Sequence, residues 1–372
     1  MSGEIISRRL VMFFPGFEPL DAEAHHKRFV RGAERTAKVW AEKIEVGALD
    51  KGELRSFQLV DGRVKTSFVI CDLSPIMQTM STKSTMRRTA SGLLAMAGFI
   101  LNGTLISYFK TSWRYGLFFL YPSMMLAAMI AVSVFVGRIG GPLLALAQFV
   151  FLFSLACRYA HFLLMMDLWH YARTLARGEL SKENALTVLL IQQCADRVAS
   201  ETKLGRIDEI VIVGHSIGAA LAVELADRLT TDMKVPVGVL TLGSGLLQVA
   251  CHPKALRFRE MAKRLLGNGT HWLDVQALID PINFLHSNLA EKYATPSANY
   301  REIIIRMRNL LSKPTYQRIK FNCFRVHRQY VLPVEVKQKY SFHRMMAGPT
   351  AFAELVHNGG LPDVLAKFED AR

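Results

Sequence analysis

The chain has 372 residues, with 46 Lys+Arg against 31 Asp+Glu and a formal net charge of +15. Its mean hydropathy is nevertheless positive, a pairing that points to an anionic membrane surface. No zinc-finger, RNP-like or arginine-rich segment supports a nucleic-acid partner. The length allows one large domain or two ordinary ones. Cys71, Cys157, Cys194, Cys251 and Cys323 are odd in number and lack C-x-x-C spacing, so they read as reduced thiols in a cytosolic setting. The N-terminus has no apolar stretch of signal-peptide type behind its charges.

In chain order, residues 5–14 (IISRRLVMFF) predict a strand that ends at Pro15-Gly16-Phe17. Asp21 is placed to cap a helix reaching about Lys43. The basic face of that helix (Lys27, Arg28, Arg31, Arg35 and Lys38) reads as solvated or as a contact for anionic headgroups. Adjacent His25 and His26 diverge by about 100° on a helix and make a poor metal pair. Residues 56–60 and 64–71 flank Asp61-Gly62, a hairpin signal.

Residues 92–166 differ in character. Residues 116–136 and 141–157 carry no charge, and each is near the roughly 20 residues needed to cross a bilayer. Gly137-Arg138-Ile139-Gly140 joins them, so the pair predicts a transmembrane hairpin with spans of about 116–136 and 142–162. A shorter apolar stretch, 92–109, contains Asn102, Thr104 and Ser107 and is expected at the interface. If the strands on either side of the insertion share a sheet, the number of crossings between them must be even, which two spans satisfy. Lys83, Arg87, Arg88, Lys110 and Arg114 precede the first span, and Arg158, Arg173 and Arg177 follow the second. Only Arg138 lies in the turn, which puts both flanks in the cytoplasm facing an anionic inner leaflet.

Beyond the insertion, residues 181–202 predict an amphipathic helix. The strongest local signal follows: the β-branched run Ile210-Val211-Ile212-Val213, then Gly214-His215-Ser216-Ile217-Gly218, then the helix-forming run from Ala219. Strand, sharp turn and helix with one serine at the apex resemble the nucleophile elbow of α/β-hydrolases. The G-x-G-x-x-G spacing and the Lys-Ser/Thr pair of phosphate-binding loops are absent. Residues 237–242 predict a buried strand ending at Gly243-Ser244-Gly245. Residues 275–279 lead to Asp280-Pro281, and 319–326 predict a last strand before His327.

The order Ser, Asp, His along successive strand ends is that of α/β-hydrolases. Leu240-Thr-Leu-Gly-Ser-Gly245 and Asp280-Pro-Ile-Asn283 resemble segments of the class 3, triacylglycerol lipase-like, members. The likeness covers roughly residues 180–345 and the early Phe-Pro-Gly loop. Gly245 stands where proline is usual, Ala219-Ala220 replace a more glycine-rich start, and a membrane hairpin is inserted. The expected fold class is therefore α/β: a mostly parallel sheet flanked by helices, with an inserted membrane hairpin. Residues 1–85 and 171–372 would make the sheet domain, and 86–170 the insertion.

On this resemblance Ser216 is the nucleophile and Asp280 the acid that orients the histidine, with Asp274 as its competitor. His327 is the favoured base, since it is expected just past a strand, and His343, before a Gly-Pro turn, is the alternative. His215 adjoins the serine and cannot fold back onto it. Ile217 and Phe17 are expected to supply the oxyanion N–H groups. The implied activity is that of a membrane-anchored serine esterase or lipase acting on lipid-like acyl esters. It needs no metal or organic cofactor. A non-catalytic hydrolase-fold interaction module and an acyltransferase on the same residues are the competing expectations.

Overall fold

The computed structural model describes residues 6–205, 207–230, 233–295 and 297–362. Its first strand, β1 (Arg8–Phe14), alternates its side chains between two apolar layers: Leu10, Met12 and Phe14 on one face, Val11 and Phe13 on the other. The same alternation, Ile210 and Ile212 against Val211 and Val213, runs along β5 (Glu209–His215). Strands buried on both faces read as continuous apolar runs, as parallel strands inside α/β folds do.

The remaining strands are β2 (Ile44–Val46), β3 (Ser56–Asp61), β4 (Val64–Ile70), β6 (Val237–Leu242), β7 (His271–Ala277) and β8 (Tyr300–Ile305). They form one eight-stranded sheet in the order β2-β3-β4-β1-β5-β6-β7-β8. Strands from β4 to β8 pair in parallel, and β2-β3-β4 form an antiparallel edge. The expected hairpin is β3-β4, turned at Gly62 with φ +59°. Asp21 caps the helix Ala22–Trp40 by accepting from the Ala24 N–H at 2.8 Å, and Ser181 caps Lys182–Lys203.

The helices Lys182–Lys203, Gly218–Leu229 and Leu256–Gly267 cover one face of the sheet. Ala22–Trp40, Phe342–Ala347 and Phe352–Asn358 cover the other. On the first face Cys71 and Cys194 meet, with their sulfurs 3.3 Å apart.

The expected last strand over 319–326 is a correction. Lys313–Ile319 and Cys323–Arg328 are helices, and the final strand is β8. Two local features decide it. Pro314 sits in the first turn of one helix, and the Asn322 side chain caps the other by accepting from the Arg325 N–H at 3.0 Å. The consecutive isoleucines of Tyr300–Ile305 are the better strand.

The insertion leaves the sheet after β4 and contains two helices long and apolar enough to cross a membrane, Trp113–Gly140 and Pro142–Tyr159. They pack against each other, while Phe135, Ile139, Leu143, Leu146 and Phe151 stand exposed. The second ends at Tyr159, short of the expected 162. His161 then enters the left-handed region, and the helix Phe162–Arg177 begins. That helix runs through position 170 and packs on Thr85–Leu101, so the insertion has no natural border at 170. The expected interfacial stretch is two helices, Thr85–Leu101 and Thr104–Thr111, meeting at 74°. The bend is fixed by Asn102, whose side chain accepts from the Thr104 N–H and hydroxyl, and by Gly103 at φ +82°.

At the end away from the Gly140-Gly141 turn each apolar helix carries an arginine beside an aromatic ring, Arg114 over Trp113 and Arg158 over Tyr159, and Arg114 also donates to the Leu278 carbonyl at 2.8 Å. Amphipathic rings and cations of this kind suit the headgroup level. Several other flanking cations are occupied within the protein. Lys83 pairs with Glu183, Arg88 with Asp167, and Arg173 and Arg177 with Glu179.

Candidate active site

Parallel strands deliver their following loops to one edge of the sheet, where α/β folds build sites. Here that edge carries the Phe14-Pro15-Gly16-Phe17 loop after β1, Ser216 after β5, Gly243-Ser244-Gly245 after β6 and Asp280 beyond β7.

Ser216 occupies the left-handed region at φ +55°, which costs a non-glycine residue on the order of 1–3 kcal/mol. Hydrogen bonds over-determine the turn. The Ser216 N–H donates to the Leu242 carbonyl at 3.0 Å, and the Gly245 N–H donates to the Ser216 carbonyl at 2.9 Å. Glycine is required on both sides of it. A Cβ at Gly214 would lie 2.3 Å from the Ala219 Cα, and one at Gly218 would lie 2.4 Å from the Pro15 carbonyl oxygen. The second contact shows how closely the early loop abuts the serine turn.

Asp280 is fully buried and accepts from three donors: His327 Nδ1 at 2.7 Å, the Ile282 N–H at 2.9 Å and the Tyr330 hydroxyl at 3.2 Å. Burial, then the Asp280 charge, push the Tyr330 phenol well above its ordinary range, so it remains a donor. With Nδ1–H held by a carboxylate, the imidazole lone pair is on Nε2, at the opposite side of the ring. That Nε2 is buried and has no hydrogen-bond partner among the described residues. His327 and Ser216 line the same cavity, of about 150 Å³. Its walls include Phe17, Glu18, His161, Leu164, Phe324 and, from the first apolar helix, Phe118.

Phe17 and Ile217 flank the serine from the two expected loops. Their N–H groups donate to no described residue, and a Cβ at Gly16 would sit 3.3 Å from the Ser216 Cβ. His215 lines the same cavity, and its Nε2 lies 3.0 Å from the His327 carbonyl oxygen. Burial, then the neighbouring His327, hold its pKa down to about 3. It is a neutral strut under the segment that carries His327.

The structure does not bring His343 to this cavity. Its ring is buried on the opposite face of the sheet, against Phe29, Phe342 and the bare backbone of Gly32, and burial lowers its pKa to about 3. Asp274 is also displaced from the site. It bonds to Thr241 at 2.5 Å and Gln276 at 3.2 Å inside the core.

Two residues at the site were not anticipated. Tyr330 follows His327 by three positions, a helical spacing that becomes visible only once 323–331 is read as helical rather than as a strand. Glu18 gives no sequence signal beyond adjoining Phe17. It is forked by Arg28 at 2.6 and 2.8 Å and approached by Arg328 at 3.1 Å. Burial alone would raise its carboxyl, but the Arg28 hydrogen bonds and the surrounding positive charges bring it to about 2. Arg28 therefore belongs to this cluster rather than to a free basic helix face.

Compared with protein-family models, curated proteins and solved structures, the chain gives no match.

Proposed function

We propose that the chain is a membrane-anchored serine hydrolase of the α/β-hydrolase type, cleaving lipid-like acyl esters through Ser216, His327 and Asp280. One observation carries this reading. The buried Asp280 holds His327 at 2.7 Å, leaving its Nε2 without a hydrogen-bond partner among the described residues, in the cavity that Ser216 lines. In the reaction His327 Nε2 takes the Ser216 proton as Oγ bonds to the ester carbonyl carbon. The N–H groups of Ile217 and Phe17 hold the resulting oxyanion. The alcohol leaves with the proton from His327, and an acyl-serine remains. Water, deprotonated by His327, then attacks it, and the acid and free serine are released.

The two apolar helices cross the bilayer as a hairpin on this proposal, with the sheet and Ser216 on the cytoplasmic side. Phe118 supports a lipid-like substrate, because a residue of the first span lines the wall of the cavity. A cavity of this size holds an ester and a few carbons, so longer chains must extend past Phe118 and Phe324 toward lipid.

Fluorophosphonate labelling of the detergent-solubilised chain tests the reading. The expected outcome is stoichiometric labelling at Ser216 and ester turnover that Ser216→Ala abolishes. A folded protein that never labels is a non-catalytic module instead. Turnover that appears only with an added alcohol acceptor makes it an acyltransferase.

A further inference from the structure

Arg328 follows the proposed base directly and lines the cavity, with 42 % of its side chain exposed. Its Nε faces Glu18, but neither Nη1 nor Nη2 makes a hydrogen bond to a described residue. Glu18 has no charge left to offer, since Arg28 already grips both its oxygens. Two guanidiniums on one carboxylate leave a net positive charge at the cavity wall. The open side of that charge is a planar fork of N–H donors, the geometry that matches a carboxylate or phosphate.

The chain leading to Arg328 has the same sign. Between Glu302 and Glu335 there is no acidic residue, while Arg306, Arg308, Lys313, Arg318, Lys320 and Arg325 precede Arg328. Phe321, 91 % exposed, stands in this basic segment with Lys320 over its ring, three residues from cavity-lining Phe324. An exposed aromatic ring among cations is suited to an anionic lipid surface.

Resting on the hydrolase reading above, the geometry points to a substrate class: acyl esters that carry an anionic oxygen group near the scissile bond, docked on the free fork of Arg328. Glu18 then has a positioning role. From the loop that bears Phe17 it aims Arg328, and Arg28 ties that aim to the helix Ala22–Trp40.

The test compares matched esters on the full-length chain. One pair is a diacylglycerol and the phosphate monoester of the same diacylglycerol, both diluted in neutral detergent micelles so that surface recruitment is equal. The other is soluble 4-nitrophenyl butyrate and the 4-nitrophenyl monoester of glutaric acid. The lipid pair reads a headgroup phosphate, and the soluble pair a carboxylate on the acyl side. In at least one pair the anionic ester is expected to have the higher kcat/KM. Arg328→Gln should lower that ratio about tenfold to a hundredfold, and Arg328→Lys should restore part of it, as loss and partial return of charge-assisted hydrogen bonds require. Fluorophosphonate labelling of each variant reports whether the serine site is assembled. Lys320→Gln with Arg325→Gln separates the neighbouring basic segment from the subsite and should leave the micellar ratio within about twofold. If both pairs show no anionic preference, or if it survives Arg328→Gln, the substrate class is wrong while Ser216-dependent turnover stands. If neither ester is cleaved and Ser216 never labels, the hydrolase reading itself fails.

Discussion

A single methyl group placed at Gly16 tests whether the loop after β1 builds the oxyanion site. A Cβ there would lie 2.7 Å from His215 Nδ1, 3.1 Å from its Cε1 and 3.3 Å from the Ser216 Cβ, where ordinary contact begins at 3.4 Å. The closest of these is about 0.7 Å too short, and His215 has little room to yield. Its ring is fully buried, and its far nitrogen meets the His327 carbonyl at 3.0 Å. The loop must lift, taking the Phe17 N–H with it, or the ring must push the base segment. Overpacking of this kind costs about 1–3 kcal/mol of stability. Full loss of one oxyanion donor costs about 10²–10³ in kcat, so a partial shift should cost roughly tenfold to a hundredfold, with KM little changed. Steady-state turnover of a soluble ester, normalised to the fraction of protein that labels with fluorophosphonate, reads the effect free of any unfolded protein. If Gly16→Ala turns over within about twofold of the unaltered chain while Ser216→Ala is inert, the loop does not hold the oxyanion.

The two histidines weighed from sequence should separate cleanly. Asp280→Asn should cut turnover by about 10⁴ and His327→Gln by about 10⁶, whereas His343→Leu should label and turn over normally. His343 also gives a pH signature. Its folded pKa of about 3 lies below the ordinary 6.5, so the unfolded chain takes up a proton that the folded chain refuses. The stability is intact above pH 6.5 and falls by about 1.4 kcal/mol per pH unit below it. His343→Leu should reduce the slope of thermal melts between pH 6.5 and 4 by about that amount, with His215 still contributing its own, and an unchanged slope would show that the ring is not held neutral. Glu18 has the carboxylate sign. With a folded value of about 2 against 4.5, its contribution of about 3 kcal/mol is present above pH 4.5 and lost as pH falls toward 2. Glu18→Gln should flatten the acid limb of the melting curve, and a limb of unchanged steepness would refute the pairing. For the hairpin, a cysteine at Ile139, 76 % exposed in the turn region, should react with an impermeant maleimide on intact cells in a background lacking the native cysteines. One at Lys203, beside β5, should react only after permeabilisation. Reaction of both from the same side would show that the helices do not cross.

The part of this architecture that was legible in the sequence is the part set by local rules. Strands buried on both faces, the Asp61-Gly62 hairpin, the Asp21 cap and the paired apolar helices each leave a pattern within a short window. The serine turn is of this kind too, because close packing demands glycine at 214 and 218. The end of the chain was misread because 319–326 mixes apolar and polar residues in a way that either period accommodates. The Asn322 cap that decides for helix acts across three residues without any apolar pattern. His327 does not follow a strand as the sequence reading expects. It reaches Asp280 from a short helix, and Tyr330 joins them because helical spacing places it on the same side. Glu18 was invisible because its partners, Arg28 and Arg328, come from two other elements.

The pairing of β1 with β5 links these observations. The two strands lie side by side in parallel, with Phe14 opposite Gly214, although the whole insertion separates them in sequence. Any membrane crossing within that insertion must therefore be undone before β5 begins. A hairpin of two helices does this, and the bent pair Thr85–Leu101 and Thr104–Thr111 cannot be a third full crossing without breaking the sheet. On the proposed reading, exposed Leu101 and Ile106 on either side of its bend would rest at the membrane surface rather than through it. The same pairing sets the Phe17 loop against the serine turn, so on the proposed reading one strand contact bears on both the membrane parity and the oxyanion geometry. Displacing the insertion should disturb the site through Phe118 and His161, which line the cavity, and not through the sheet. Phe118→Ala is accordingly expected to alter the preferred acyl length while leaving labelling of Ser216 intact. Loss of labelling in a folded Phe118→Ala protein would mean that the first apolar helix shapes the reacting groups themselves.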